Sequence, residues 1–122
     1  MKLHLTRAEG QNLFTGYGEG YVAINHERFD HAVLVAPDHA VLDWDAAGFD
    51  ALTPAHFEAL LQYKPEIVVF GTGAAIRFPR PELTRALHAA GVGVEVMDTR
   101  AACRTYNILM AEGRQVLAAI LV

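Results

Sequence analysis

No serine occurs among the 122 residues, so a serine hydrolase, a Ser-Lys enzyme or a phosphate loop ending in serine has nothing to work with. The single cysteine, Cys103, has no partner for an internal disulfide, which fits a reducing compartment. No apolar run approaches the roughly 20 residues that span a bilayer as a helix. Met1–Leu5 leads straight into polar Thr6–Gly10 with no hydrophobic signal region, so the expected location is cytoplasmic, without leader or membrane span. Excess positive charge is missing too. The formal net charge is -4, and binding a phosphate backbone needs a basic surface, so no nucleic-acid partner is expected.

The charge that is present is unevenly placed. Residues 1–66 carry four Lys or Arg against ten Asp or Glu, a net of -6, whereas residues 67–122 carry six against four, a net of +2. The apolar share of 52% suffices to cover a packed sheet with helices, and the length suits one domain, 1–122, that folds without metal or disulfide staples.

Gly10, Gly16 and Gly18 interrupt residues 1–19, which read as a loosely structured lead-in with one short strand at Leu3–Leu5. The runs Tyr21–Ile24, Ala32–Val35 and Ala40–Leu42, separated by turn residues, predict a strand meander. Thr53-Pro54 opens a helix that Lys64-Pro65 stops. From Glu66 the mode changes. Glu66–Phe70 reads as a buried strand, Pro81 to Gly91 as a helix, Val92–Met97 as a strand, Asp98 to Gly113 as a capped helix and Gln115–Val122 as a terminal strand. Such alternation predicts an α/β domain of layered type, while strand order and oligomeric state are left open by the pattern.

The glycine turn Gly71-Thr72-Gly73, directly after a buried strand, is the first candidate site, because open α/β sheets bind ligands beyond the carboxyl ends of their strands. The turn departs from a nucleotide fingerprint: Ile76 stands where a third glycine belongs, and Arg77-Phe78-Pro79-Arg80-Pro81 delays the helix. On the last helix, Ala102, Cys103, Tyr106, Leu109 and Met110 share an apolar face, and Arg100, Arg104, Asn107, Ala111 and Arg114 share a polar one. Periodicity alone makes the second stripe a solvated face. Turned toward the Gly71 loop instead, Arg77, Arg104 and Asn107 would frame a pocket for an anionic small molecule or a partner's acidic side chain.

Cys103 lies between helix start and two arginines, a setting that activates thiols, yet it sits on the apolar face, where free cysteines are inert hydrophobes. His4, His26, His31, His39, His56 and His88 lack metal-ligand spacing, and Asp43 and Asp45 read as a solvated strand face. No catalytic residue, metal or cofactor is therefore expected.

The segments Pro65–Gly73 and Gly93–Leu109, above all Asp98-Thr99-Arg100-Ala101-Ala102-Cys103-Arg104-Thr105-Tyr106-Asn107, resemble the MTH-like domain family of unknown function over about Tyr17 to Leu121. The family's relatives include mitochondrial complex I assembly factor three. The resemblance implies a three-layer α/β domain with a mixed central sheet and an added N-terminal β meander. It also implies a non-catalytic protein-interaction or assembly module with a protein partner, and it carries over no catalytic residue.

Overall fold

The computed structural model describes residues 10–122, so the strand expected at Leu3–Leu5 lies outside the described residues. Three short strands come first: β1 (Phe14–Gly18), β2 (Tyr21–Ile24) and β3 (Glu27–Phe29), paired antiparallel in the order β1-β2-β3. Asn25 and His26, both at positive φ (52° and 72°), make the tight two-residue connection between β2 and β3, the turn whose twist suits a hairpin. The lead-in expectation is thus corrected from residue 14 onward. Phe14, Gly16 and Tyr17 are buried, because this strand packs onto a helix far away in the sequence.

The main sheet has five strands in the order β5-β4-β8-β6-β7: β4 (Val33–Val35), β5 (Leu42–Asp43), β6 (Ile67–Thr72), β7 (Gly93–Met97) and β8 (Val116–Leu121). β8 runs antiparallel to β4, pairing Val33 with Ile120, and parallel to β6, pairing Ile67 with Val116 through Thr72 with Leu121. β7 is parallel to β6, so the sheet is mixed. Every residue of β6 and β8 is buried, as expected for strands covered on both faces.

Alternation along these strands divides the core in two. Val33, Val35, Ile67, Val69, Val116, Ala118 and Ile120 face the small sheet and the helix α3 (Thr99–Ala111). Leu34, Val68, Phe70, Leu117, Ala119 and Leu121 face the other side, covered by a 3-10 turn at Phe49–Ala51, the helix α1 (Pro54–Glu58), a second 3-10 segment at Ala59–Tyr63, and α2 (Pro81–Ala89). Phe70 anchors that side, with Trp44, Phe57 and Phe49 ring centroids at 5.9, 5.3 and 6.1 Å. The result is a three-layer α/β domain.

Local signals explain the boundaries. Asp98 Oδ1 accepts the Ala101 N–H at 3.0 Å and caps α3. Gly91 at φ 77° and Gly113 at φ 78° end α2 and α3, and the backward bonds Val92 N–H to Leu87 and Arg114 N–H to Leu109 satisfy last-turn carbonyls. The helix expected from Thr53 to Lys64 changes to 3-10 geometry after Glu58 and stops with Lys64 at φ 52°. Its start is closed by the Thr53 N–H, which donates to His56 Nδ1 at 3.0 Å.

Candidate functional site

The glycine turn sits where α3 begins. A Cβ on Gly71 would lie 2.9 Å from Ile120 Cδ1, 3.0 Å from Thr99 Oγ1 and 3.1 Å from Ala102 Cβ, so only glycine lets the strand pass this close to the helix. Gly73, at φ 103°, donates its N–H to Thr99 Oγ1 at 2.9 Å and accepts the Thr99 N–H at 2.9 Å. The Thr99 hydroxyl in turn donates to the Leu121 carbonyl. The buried Thr72 hydroxyl donates to the Ala75 carbonyl at 2.7 Å and accepts the Arg77 N–H at 3.1 Å. Arg77 then closes the loop from outside: its Nη2 donates to Asp50 Oδ1 at 2.8 Å, and its guanidinium lies 4.1 Å above the Phe49 ring. The same hydrogen bond lowers the Asp50 pKa, with the positive charge adding to it.

These bonds have a direct consequence for chemistry. The Gly73 amide that would greet an anion is already bonded to Thr99, and the first turn of α3 holds its own carboxylate, Asp98. What the loop presents outward is apolar: Ile76 is 50% exposed and Phe78 71% exposed. The sequence marks Ile76 only as standing where a third glycine belongs, and Phe78 only as part of the stretch Arg77–Pro81 that delays α2. Their signal is chemical, an aliphatic and an aromatic residue inside a Gly- and Pro-bounded loop.

Arg104 and Asn107 lie elsewhere. Asn107 is fully buried and pairs with β1 as a strand would: its Nδ2 donates to the Phe14 carbonyl at 2.8 Å and its Oδ1 accepts the Phe14 N–H at 2.9 Å. The solvated stripe read from periodicity is therefore corrected at this position, since the small sheet covers that flank of α3. Arg104 is exposed and donates from Nη1 to the Tyr17 hydroxyl at 2.6 Å, and the Arg100 and Arg104 guanidinium carbons stand 5.9 and 5.8 Å from the Tyr17 ring. The six candidates thus fall into two groups: Gly71, Thr72, Gly73 and Arg77 build one loop, while Arg104 and Asn107 join α3 to β1.

Cys103 is buried against the small sheet, and desolvation pushes its thiol pKa up to about 12 despite the Arg104 charge, which acts the other way. It rests as a protonated thiol. Among the described residues no three His, Cys, Asp or Glu side chains gather as a metal would require. His31 Nε2 lies 2.7 Å from Asp43 Oδ1 and its Nδ1 3.4 Å from Asp30, and these partners raise its pKa, Asp43 first. No described helix is long and apolar enough to cross a membrane.

Comparison with known proteins places these features in a wider group. The family described as "Protein of unknown function (DUF498/DUF598)" matches residues 14–121. The bovine (Bos taurus) NADH dehydrogenase [ubiquinone] 1 alpha subcomplex assembly factor 3 is 34% identical over 104 residues, covering 84% of this chain and 55% of that protein. The chain therefore spans about half the length of that relative. A crystal structure from Bordetella parapertussis is 44% identical with a TM-score of 0.88, covering 93% of this chain and 98% of that one. A solution structure from Bordetella pertussis, described as a Mth938-like domain, is 39% identical with a TM-score of 0.76, covering 99% and 92%. With the family pattern spanning nearly all of the described strands and helices, this chain belongs to the DUF498/DUF598 family of Mth938-like domains.

Proposed function

We propose that this chain is a non-catalytic protein-interaction module of assembly type, and that it docks its partner through the loop between β6 and α2. The observation that carries the reading is the pair Ile76 and Phe78, held out on a backbone that Thr72, Arg77, Phe49 and Asp50 fix from beneath. Exposed aromatic side chains on a fixed backbone are what protein interfaces use as anchors, because little conformational entropy is lost when they are covered. The bovine relative's name as an assembly factor supports a role of the same kind.

In this reading Gly71, Thr72, Gly73 and Arg77 shape the loop, and Arg104 offers a hydrogen-bonding cation on the exposed side of α3. Asn107 contributes by fixing α3 to β1. An anionic ligand at the glycine turn takes second place, because the Gly73 amide and Thr72 hydroxyl are engaged within the loop.

The test is capture from an extract of the source organism, with tagged wild type compared with an Ile76→Ala, Phe78→Ala double variant and retained proteins identified by mass spectrometry. The expected result is a specific protein retained by wild type and lost in the variant. Equal retention by both, or no specific protein with wild type, overturns the reading.

A further inference from the structure

The molecule carries a projecting ring and an aromatic cleft that matches it. Between the end of β5 and α1 lies an open cleft of about 310 Å³, with Leu34, Trp44, Leu60 and Tyr63 among its walls. An apolar cavity of roughly 150 Å³ already accommodates benzene, so the cleft has room for one phenyl side chain. His56 also borders it, with its Nδ1 accepting the Thr53 N–H and its Nε2 bonded to the Asp45 carbonyl. One carboxylate lines the cleft, the exposed Asp45, and no Lys or Arg does. Asp45 makes no ion pair among the described residues.

The complementary group is Phe78, two residues before Arg80, which is exposed and likewise makes no ion pair among the described residues. Knob and cleft belong to one face of the sheet: the loop rests through Arg77 on Phe49, and Phe49 packs against the core cluster that holds Leu34, Trp44 and Leu60. A ring with a cation beside it fits an aromatic cleft with a carboxylate beside it. Two such complementary patches on one flank allow reciprocal exchange, which closes as a twofold dimer and leaves no open end to propagate.

We propose that a second copy of this chain is the occupant: Phe78 of each copy enters the Trp44 cleft of the other, with Arg80 facing Asp45. This goes beyond the assembly reading. It makes the same loop serve a self-contact, with which a different protein partner competes.

Trp44 is the chain's single tryptophan, so its emission reports the cleft without interference. The experiment combines sedimentation velocity with Trp44 emission over a dilution series. The expected result is a dimer that dissociates on dilution while the emission shifts in step. Phe78→Ala should raise the dissociation constant about tenfold or more. Added salt and Arg80→Glu should both weaken the dimer, and combining Arg80→Glu with Asp45→Arg should restore it. A monomer at every concentration overturns the proposal, as does a dimer indifferent to Phe78→Ala, or one that forms with Trp44 emission unchanged. Since Phe78 is exposed, its removal leaves the fold intact, which circular dichroism checks. A monomer that still captures a protein through Phe78 overturns this inference alone, whereas a Phe78-dependent dimer that captures nothing overturns only the assembly reading.

Discussion

Replacing Asn107 by alanine should be among the most damaging single changes in this protein. Its side chain is fully buried and satisfies both backbone groups of Phe14, 93 residues away, so the substitution strands one N–H and one C=O. An unsatisfied buried polar group costs about 1–3 kcal/mol, which gives a loss of about 2–6 kcal/mol for the pair. A domain of this size has about 5–15 kcal/mol of stability in total, so the loss is a large share of what holds the chain folded. Equilibrium urea unfolding measures the change. With a slope of about 2 kcal/mol per molar, the midpoint should drop by about 1–3 M. Asn107→Leu keeps most of the volume while removing the same hydrogen bonds, so a similar drop assigns the loss to the bonds and not to a cavity. Ile108→Ala, on the 52% exposed neighbour, should stay within about 0.5 kcal/mol of wild type. An Asn107→Ala loss as small as that control would refute the reasoning, because it would mean Phe14 finds other partners at no cost.

Gly71→Ala should destabilise by about 1–3 kcal/mol in thermal or urea unfolding, because the new methyl meets Ala102 and the hydrogen-bonded Thr99 hydroxyl at overpacked distances; an unchanged midpoint would show that α3 moves away freely. Cys103 should resist a thiol reagent at pH 8 in the native state and react at once in urea, since burial holds its pKa near 12; rapid native labelling contradicts this. His31 has a raised folded pKa, so its bonds to Asp43 and Asp30 contribute stability that is fully present below the ordinary histidine value and is lost as pH rises through the folded value. An NMR titration of its ring should show that elevation and Asp43→Asn should remove most of it, while an unshifted wild-type curve rejects the contact.

The second half of the fold was readable because each boundary there is a local chemical event. Pro81, Gly91, Asp98 and Gly113 act within a turn of their own positions, and the spacing between them is that of one strand or one helix. The first half is not local in this sense. Tyr21–Ile24 joins the small sheet and Ala32–Val35 the large one, and the two runs have the same apolar character. β1 escaped notice because Thr15, Gly16 and Gly18 dilute its pattern, and because what buries it is α3, through Asn107, Tyr106 and Arg104. The same long-range pairing hid the true place of Asn107, which helical periodicity puts on the polar stripe. At the candidate site, the glycine turn was visible as a turn, but the engagement of its Gly73 amide by Thr99 depends on where α3 begins relative to β6.

The place of β8 in the sheet bears on how the chain acquires its structure. β4 pairs with β5 and β6 with β7, and among the described strands the two pairs are joined across the sheet by β8, which follows all four in the chain. As the polypeptide emerges during synthesis, both hydrophobic faces remain open at their middle until Val116–Leu121 arrives. Before that strand is made, the edges of β4 and β6 that it joins have no partner within this sheet, and unpaired strand edges invite misassociation.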